Sequence, residues 1–346
     1  MSTSLEAVKA LLSADVPVLL WGAPGTAKTA SVVALAQREE AHLVVLIGST
    51  LEPSDVGGIP APFEGQVVWS PPPWAREIRG ALDAGRIVWL FLDELSCAPA
   101  AVQAVLLRVV QERKVAGLDI SGVKILAAAN PADSAADGGW LSPAMSNRFA
   151  HVQWRLPSTW FTGLLNRWGL GWADGGHCAA GLAAYLQANP QALQGVPHQD
   201  GSEGYASPRS WTNAVAGVVA VGGTKVRGAR AVATACVGPA AGEWFSWIEA
   251  QDLPDPEEVL SGRVSPPMRP DQLRASLLAV AAAALRDHPE QAKRLMGAWE
   301  ILGQQRPDVA VAAATALLDG APDAPLPTAF DALAEVIQAA RSRAGV

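Results

Sequence analysis

An eight-residue segment near the beginning of the chain has the composition of a phosphate-binding loop. It lies between an apolar run and a helix-compatible segment, and it reads Gly22, Ala23, Pro24, Gly25, Thr26, Ala27, Lys28, Thr29. In this context the loop N–H groups and the helix N-terminus point at the phosphates of a nucleoside triphosphate. Lys28 is then predicted to reach the β- and γ-phosphate oxygens, and the Thr29 hydroxyl to ligate Mg²⁺. Ala27 departs from the strict pattern, which has a second glycine at that position.

Two adjacent carboxylates, Asp93 and Glu94, follow a second apolar run, Ile87–Leu92. Phosphoryl transfer depends on positioning and on charge neutralisation, so a carboxylate pair suits it. We expect Asp93 to hold Mg²⁺, directly or through water, and Glu94 to orient and polarise the attacking water. Two solvated acids at the end of a strand are the alternative, and the upstream phosphate loop favours the catalytic interpretation.

Two further polar residues lie downstream, one after an apolar strand and one at the end of a helical segment. Asn130 comes directly after Lys124–Ala129, where an amide can hydrogen-bond the γ-phosphate or the lytic water. An Asn-Pro pair alone is only a turn signal, so this assignment depends on its neighbours. Arg148 ends a short helical segment and is either a partner in a surface salt bridge or an arginine finger offered to a neighbouring subunit.

The overall composition excludes several classes of protein. The 346 residues carry a formal net charge of −7 and no tract of Lys or Arg, which argues against nucleic acid as a partner. The three cysteines, Cys97, Cys178 and Cys236, are far apart and encode neither a disulfide framework nor a zinc site. The N-terminal residues have a helical pattern unlike a signal peptide, and the Ala-rich stretches are too short to span a bilayer. We expect a cytoplasmic protein with no membrane segment.

The polar residues above are positioned by alternating strands and helices in the first part of the chain, which predicts a parallel five-stranded sheet with helices on both faces. The predicted strands are Val16–Trp21, His42–Gly48, Arg86–Leu92, Val123–Ala129 and His151–Leu156. The predicted helices between them are Thr29–Arg38, Pro73–Ala84 and Ala98–Gln111. Two inserted hairpins are also expected, one within Glu64–Trp74 and one within Glu112–Lys124.

Strand signals almost vanish after Pro157, so the remainder is predicted to be all-helical. The helical candidates are Thr159–Trp168, Cys178–Gln187, Arg209–Val221, Arg227–Cys236, Gly242–Glu249, Asp271–Arg286, Glu290–Gln305, Asp308–Leu318 and Ala329–Arg343. Proline-rich stretches such as Leu253–Glu257 are expected to connect helices. The fold class is therefore α/β followed by helices, with an α/β domain at 1–157, a helical lid at 158–250 and a C-terminal helical extension at 251–346.

Taken together, the loop at 22–29, the Asp93-Glu94 pair, Asn130 and the Asn147-Arg148-Phe149 segment resemble an AAA+ ATPase with a P-loop NTPase fold. Three further stretches are similar to the MoxR-type branch of the helix-2-insert clade, namely Pro53–Gly58, Gln103–Val115 and Ser207–Ser210. That branch often carries Ala before the lysine, as at Ala27. The resemblance puts Arg209 near the γ-phosphate as a sensor-2 residue. Asn147 departs from the Asp that usually precedes the finger arginine.

The resemblance implies an ATP- and Mg²⁺-dependent ATPase that forms a ring, usually a hexamer, with the Arg148 finger acting in trans. It implies chaperone-like remodelling of a client protein together with a protein that carries a von Willebrand A-type domain. Two alternatives stay open from the sequence: a nucleic-acid-directed AAA+ motor and an ATP-dependent scaffold with little hydrolysis. The inserted hairpins are expected to face the pore or the substrate, whereas Trp69 and Trp74 within the first could equally pack in a core.

Overall fold

A computed structural model defines the architecture and describes residues 3–131, 140–156, 160, 177–197, 202–251, 253–285 and 289–321. The chain divides into two compact units, Met1–Arg155 and Leu156–Val346. Each unit has its own apolar core and is described by itself. In the described part of the chain, no helix is long and apolar enough to cross a membrane.

The first unit is built on a parallel five-stranded sheet, as the sequence predicts. Its strands are β1 (Val18–Trp21), β2 (His42–Ile47), β5 (Val88–Asp93), β8 (Lys124–Ala129) and β9 (Ala150–Gln153), in the order β2-β5-β8-β1-β9. All neighbouring pairs are parallel. The carboxyl ends of β5, β8 and β1 therefore lie side by side at one edge of the sheet, which is where open α/β sheets bind ligands.

Helices cover the sheet because its central strands are apolar along their whole length. They are α1 (Thr3–Ser13), α2 (Lys28–Arg38), α3 (Pro53–Gly57), α4 (Pro73–Asp83), α5 (Ala100–Glu112) and α6 (Pro143–Ser146). In β5, Val88–Leu92 are at most 3% exposed. Such a strand buries side chains against the helices on both faces, so the polar residues that follow it are fixed in position.

Two antiparallel hairpins project from this unit. The first pairs β3 (Ile59–Phe63) with β4 (Gln66–Ser70), and the second pairs β6 (Lys114–Val115) with β7 (Leu118–Asp119). The second lies within the predicted range. The first begins upstream of the expected Glu64–Trp74, because Glu64 and Gly65 form its turn with φ of 48° and 78°, as a type I′ turn requires.

Trp74 is not part of the first hairpin. It lies in α4, is 9% exposed, and its indole N–H donates to the Asp55 carbonyl oxygen at 2.8 Å. Trp69 lies in β4 and is 58% exposed. The packing alternative therefore holds for Trp74 and not for Trp69.

The described residues of the second unit form helices joined by loops, without a strand. Its helices are α7 (His177–Ala188), α8 (Pro208–Ala220), α9 (Ala229–Val237), α10 (Ala240–Gln251), α11 (Pro256–Leu260), α12 (Pro270–Ala284), α13 (Gln291–Gly303) and α14 (Pro307–Gly320). The short helix α11 corrects the expectation of a plain connection at Leu253–Glu257. Asp255 caps it by accepting the Glu257 N–H at 2.9 Å, and Pro256 occupies its first turn.

One apolar core joins these helices, and α12 is its most buried member. Residues Ala275–Ala284 are nearly all inaccessible, and Trp211, Trp244 and Trp299 are buried beside them. Burial and the neighbouring Glu243 raise the pKa of Tyr185 to about 12, so its hydroxyl stays protonated and donates to Glu243 at 3.2 Å.

This core takes helices from both the predicted lid and the predicted extension, and a boundary at residue 250 stays a prediction. Of the predicted helix Thr159–Trp168 only Trp160 is described, and Ala329–Arg343 lies outside the described residues.

Candidate nucleotide-binding site

The phosphate-binding loop occupies the turn between β1 and α2. Gly22 begins it under tight packing: a Cβ there would lie 3.1 Å from the Trp154 carbonyl oxygen and 3.2 Å from the Trp154 Cβ. Gly25 has a φ of 77°, which glycine adopts at no steric cost. The geometry of the loop therefore favours both of its glycines.

Ala27 adopts the left-handed conformation, with φ 61° and ψ 25°, immediately before α2 begins at Lys28. This is the position at which the strict pattern has glycine, and the backbone there keeps the geometry that glycine would favour. A left-handed alanine costs roughly 1–2 kcal/mol. The loop thus keeps its shape at an energetic cost that its surroundings offset.

Lys28 lies at the centre of the loop and is 9% exposed. Its ammonium donates to the carbonyl oxygens of Gly22 at 2.6 Å and Ala23 at 3.0 Å, and to Asn130 Oδ1 at 2.9 Å. The last bond connects the loop after β1 to the residue after β8. The backbone N–H of Asn130 in turn donates to the buried Ser96 hydroxyl at 3.3 Å.

Thr29 and Asp93 are joined directly: the Thr29 hydroxyl donates to Asp93 Oδ2 at 2.6 Å. A hydroxyl and a carboxylate at this distance are a partial ligand set for Mg²⁺, which prefers one or two protein oxygens, phosphate oxygens and water. Among the described residues there is no group of three or more metal-binding His, Cys, Asp or Glu side chains. The donor set therefore fits a magnesium ion that arrives with a phosphate ligand.

Glu94 follows Asp93 in a left-handed conformation, with φ 53°. Its backbone N–H donates to Asp93 Oδ1 at 2.9 Å, and its carboxylate accepts a short hydrogen bond from the Ser49 hydroxyl. Ser49 reaches it because Gly48 packs against the end of β5, where a Cβ would lie 2.9 Å from the Glu94 carbonyl oxygen. Strained backbone of this kind is concentrated at functional sites.

The two arginines predicted from the sequence lie in different units. Arg148 is half-buried in the first unit, and its guanidinium donates to the Ala144 carbonyl oxygen at 3.1 Å and to Gln111 Oε1 at 3.0 Å. Arg209 is exposed in the first turn of α8, in the second unit. The structure therefore brings together Lys28, Thr29, Asp93, Glu94 and Asn130 in the first unit, and the hydrogen bonds described for Arg148 lead to residues outside that group.

Sequence reasoning missed two residues that shape the site. Ser49 holds Glu94, and the signal for it was its place directly after β2, the neighbour of β5 in the sheet. Trp154 is 6% exposed, and its indole N–H donates to the Thr26 carbonyl oxygen at 3.1 Å. The predicted strand through Leu156 is too long, because β9 ends at Gln153 and Trp154 packs on the loop.

The fold and the site define an ATP-hydrolysing domain of the P-loop class. Residues 17–149 match the model of a family described as the AAA domain, dynein-related subfamily. This part of the chain is an AAA domain, and the protein is accordingly an ATPase. Among curated proteins, none matches the chain.

Solved structures provide a distant comparison. The RuvB Holliday junction branch migration motor of Thermotoga maritima is 15% identical over 79% of each chain, with a TM-score of 0.35. A Cytophaga hutchinsonii protein assigned as an ATPase is 18% identical over 68% of this chain and 82% of that chain, with a TM-score of 0.33. These scores are low, so the assignment of the fold rests on the strand order and on the family match.

Proposed function

We propose that this protein is an ATP-driven motor that assembles into a ring, of six subunits by resemblance to MoxR-type proteins, and remodels a partner protein. The observation that carries the proposal is the position of Arg148, a half-buried arginine whose described hydrogen bonds lead to Ala144 and Gln111 and not to its own phosphate loop. An arginine that contributes to catalysis in this arrangement does so in the site of a neighbouring subunit.

Within one subunit, the proposed roles follow the hydrogen bonds. Lys28 binds the β- and γ-phosphates by exchanging its carbonyl partners for charged oxygens, which make stronger charge-assisted bonds. Thr29 and Asp93 would hold Mg²⁺, which supplies charge neutralisation to the phosphates when bound. Glu94 orients the attacking water and accepts its proton, and Asn130 orients the γ-phosphate or that water.

The second unit is proposed to supply Arg209 as a sensor of the γ-phosphate. Its position is well defined locally: the Ser207 hydroxyl accepts the Ser210 N–H at 3.1 Å, and Ser210 Oγ accepts the Ser207 N–H at 2.8 Å. This capping box fixes the first turn of α8, where Arg209 lies.

The partner is proposed by resemblance to the MoxR-type branch, whose members act with a protein that carries a von Willebrand A-type domain. Pro53–Gly58 and Gln103–Val115 support this narrower assignment, since both border the inserted hairpins that distinguish the branch. A chaperone-like role in the assembly of another protein follows from the same resemblance.

Subunit mixing tests the ring directly. Arg148→Ala is expected to lower ATP turnover by about 10³–10⁵-fold, and Lys28→Ala to be inactive because it does not bind ATP. When the two inactive variants are mixed, a Lys28→Ala subunit can offer its Arg148 to the intact loop of an Arg148→Ala subunit. We expect the mixture to regain a measurable part of the wild-type turnover.

Arg86→Ala is the control, because Arg86 is an exposed arginine of the first unit that has no proposed role, and its loss should not change turnover. Wild-type turnover per subunit should rise with protein concentration as the ring assembles. The ring proposal fails if the mixture stays inactive while each variant binds wild-type subunits, or if Arg148→Ala is as active as wild type.

A further inference from the structure

The first hairpin exposes apolar side chains on both of its faces. Val67 is 76% exposed and Trp69 is 58% exposed on one face, and Phe63 is 61% exposed on the other. Exposed apolar surface of this kind, presented by a regular element, is typical of an interaction site. Among the described strands, β4 pairs only with β3.

The two outer edges of this hairpin are chemically different. In β3, Pro60 and Pro62 lie opposite Trp69 and Val67. Proline has no N–H to donate, so the pairs that exchange hydrogen bonds are the alternate ones, such as Ala61 with Val68. The outer edge of β3 therefore lacks N–H donors at both prolines, which protects it from pairing.

The outer edge of β4 is competent for pairing. By the same alternation, Val67 and Trp69 direct their N–H and C=O groups away from β3. An unpaired edge with these groups can accept a further strand. The hairpin thus offers a single edge for an extended segment.

The side chains of that edge border an apolar groove of about 760 Å³. Its opposite wall is formed by Val105 and Val109 of α5 and by Ala116 at the turn between β6 and β7. A strand added to β4 would place alternate side chains into this groove. The groove therefore selects apolar residues at every second position.

The ionisable side chains that line the groove in the described part of the chain are both cationic, Arg108 and Lys114. Arg108 makes an exposed ion pair with Glu112 at 2.9 Å, and Lys114 lies opposite Asp119 in the β6–β7 ladder. The Arg108–Glu112 pair is exposed and therefore weak. In a chain of net charge −7, two cations on an apolar groove favour an acidic ligand.

The base of the hairpin is held rigidly, which lowers the entropic cost of binding. Gly58 has a φ of 83°, and a Cβ there would lie 2.2 Å from the Ser70 carbonyl oxygen. The adjoining helix α3 carries a capping box in which the Glu52 N–H donates to the Asp55 carboxylate at 2.8 Å.

We propose that the outer edge of β4 binds an extended segment of a partner protein as a third strand, and that this segment alternates apolar residues with acidic ones. The apolar side chains occupy the groove, and the carboxylates meet Arg108 and Lys114. This inference describes the chemistry of the partner protein that the proposed motor remodels, and it rests on that proposed function. Its test uses binding alone, without ATP turnover.

The experiment begins with a random ten-residue peptide library selected on the full-length protein. We expect the enriched sequences to alternate apolar and acidic residues. The most enriched peptide, labelled with fluorescein, is then titrated against wild type, Val67→Pro and Val67→Ala without nucleotide. Val67→Pro removes the outward N–H and should weaken binding by about tenfold or more, whereas Val67→Ala keeps it and should change binding by less.

Three controls separate strand addition from other contacts. Arg108→Glu should weaken binding of the acidic peptide, with a loss that shrinks at high salt. Hydrogen exchange should slow at the Val67 and Trp69 amides when the peptide is bound. Melting temperature and basal ATP turnover should be the same in wild type and in both Val67 variants, because Val67 is exposed and outside the nucleotide site.

Several results would overturn the proposal. They are the absence of any enriched peptide, enrichment of basic peptides, and equal affinity for Val67→Pro and Val67→Ala. Self-association that sediments as a dimer and disappears in Val67→Pro, with no peptide bound by wild type, would show that a second copy of the chain covers this edge instead. Because the titration needs no nucleotide, failure of the ring proposal would leave its outcome unchanged.

Discussion

Each unit of the molecule holds a cation away from solvent, Lys28 buried and Arg294 partly buried, and the two cations are held in different ways. In the α/β unit, the hydrogen bonds described for Lys28 lead to the carbonyl oxygens of Gly22 and Ala23 and to the Asn130 amide. In the helical unit, the Arg294 guanidinium makes two hydrogen bonds to the Glu257 carboxylate, at 2.8 and 2.6 Å.

The difference separates a binding group from a structural one. The Arg294–Glu257 pair is bidentate and joins α13 to α11, so its charges are balanced within the unit. The three hydrogen bonds described for Lys28 lead to neutral oxygens, which bind an ammonium less strongly than phosphate does. A phosphate from outside therefore offers Lys28 stronger bonds than these three, whereas Arg294 is already bonded to a carboxylate.

The largest effect that would sharpen this comparison is expected at Glu94. Glu94→Gln keeps the size of the side chain and its bond from Ser49, and it removes the proton acceptor. We expect ATP binding to be retained and turnover to fall by about 10²–10⁴-fold. Binding is measured with a fluorescent nucleotide, and turnover by phosphate release.

Glu94 is exposed, so the melting temperature of Glu94→Gln should match that of wild type. A variant that hydrolyses ATP normally would contradict the role of Glu94. A melting temperature of Glu94→Gln below that of wild type would show that Glu94 stabilises the fold, as the Arg294–Glu257 pair does in the helical unit.

An intermediate effect is expected at the ion pair, and it should appear in stability alone. Glu257→Gln leaves Arg294 without its counter-charge and should cost about 2 kcal/mol of unfolding free energy. This is less than the roughly 3–5 kcal/mol of a fully buried pair, because the two side chains are 15% and 32% exposed. Urea denaturation followed by circular dichroism measures the change.

The matched control is the double variant Glu257→Leu with Arg294→Met, which removes both charges and retains apolar packing. We expect it to be more stable than Glu257→Gln, since no unpaired charge stays behind. If the double variant is the less stable of the two, the pair contributes more than charge compensation.

The smallest effect is expected at Ala27. Ala27→Gly relieves a left-handed alanine and should stabilise the protein by up to about 1 kcal/mol, after the greater flexibility of glycine in the unfolded chain is subtracted. ATP turnover should persist. Thermal denaturation monitored by circular dichroism reports the change.

Ala34→Gly is the control for Ala27→Gly, because Ala34 lies exposed in the middle of α2. The same substitution there should destabilise by about 1 kcal/mol. Opposite signs for the two changes in unfolding free energy would confirm that Ala27 is strained. A loss of activity in Ala27→Gly would contradict the assignment of residues 22–29 as the phosphate-binding loop.

The predictable part of the fold is the part that local chemistry controls. The strand β5 could be predicted because a run of apolar residues ends at Asp93, and α2 because a phosphate loop precedes it. The strand β3 was not predicted because Pro60 and Pro62 argue against a strand in the sequence pattern, although an edge strand tolerates proline. The helix α11 was missed because its proline was interpreted as a connection instead of a first helical turn.

The site was predictable to the same extent. Lys28, Thr29, Asp93, Glu94 and Asn130 each follow or border an apolar strand, and parallel strands bring such residues to one edge. The contribution of Ser49 could not be read from its own surroundings, because it depends on the pairing of β2 with β5. Trp154 reaches the loop only because β9 lies beside β1.

The sequence by itself determined the chemistry of this protein: a loop for phosphates, a carboxylate pair and an amide, in the order that an AAA domain requires. Those features depend on residue type and short spacing, which are local. The tertiary structure alone decided that Ala27 is left-handed, that Ser49 holds Glu94, and that the β4 edge is unpaired beside an apolar groove. These depend on which strands become neighbours, and pairing between distant segments is set by the packing of the whole unit.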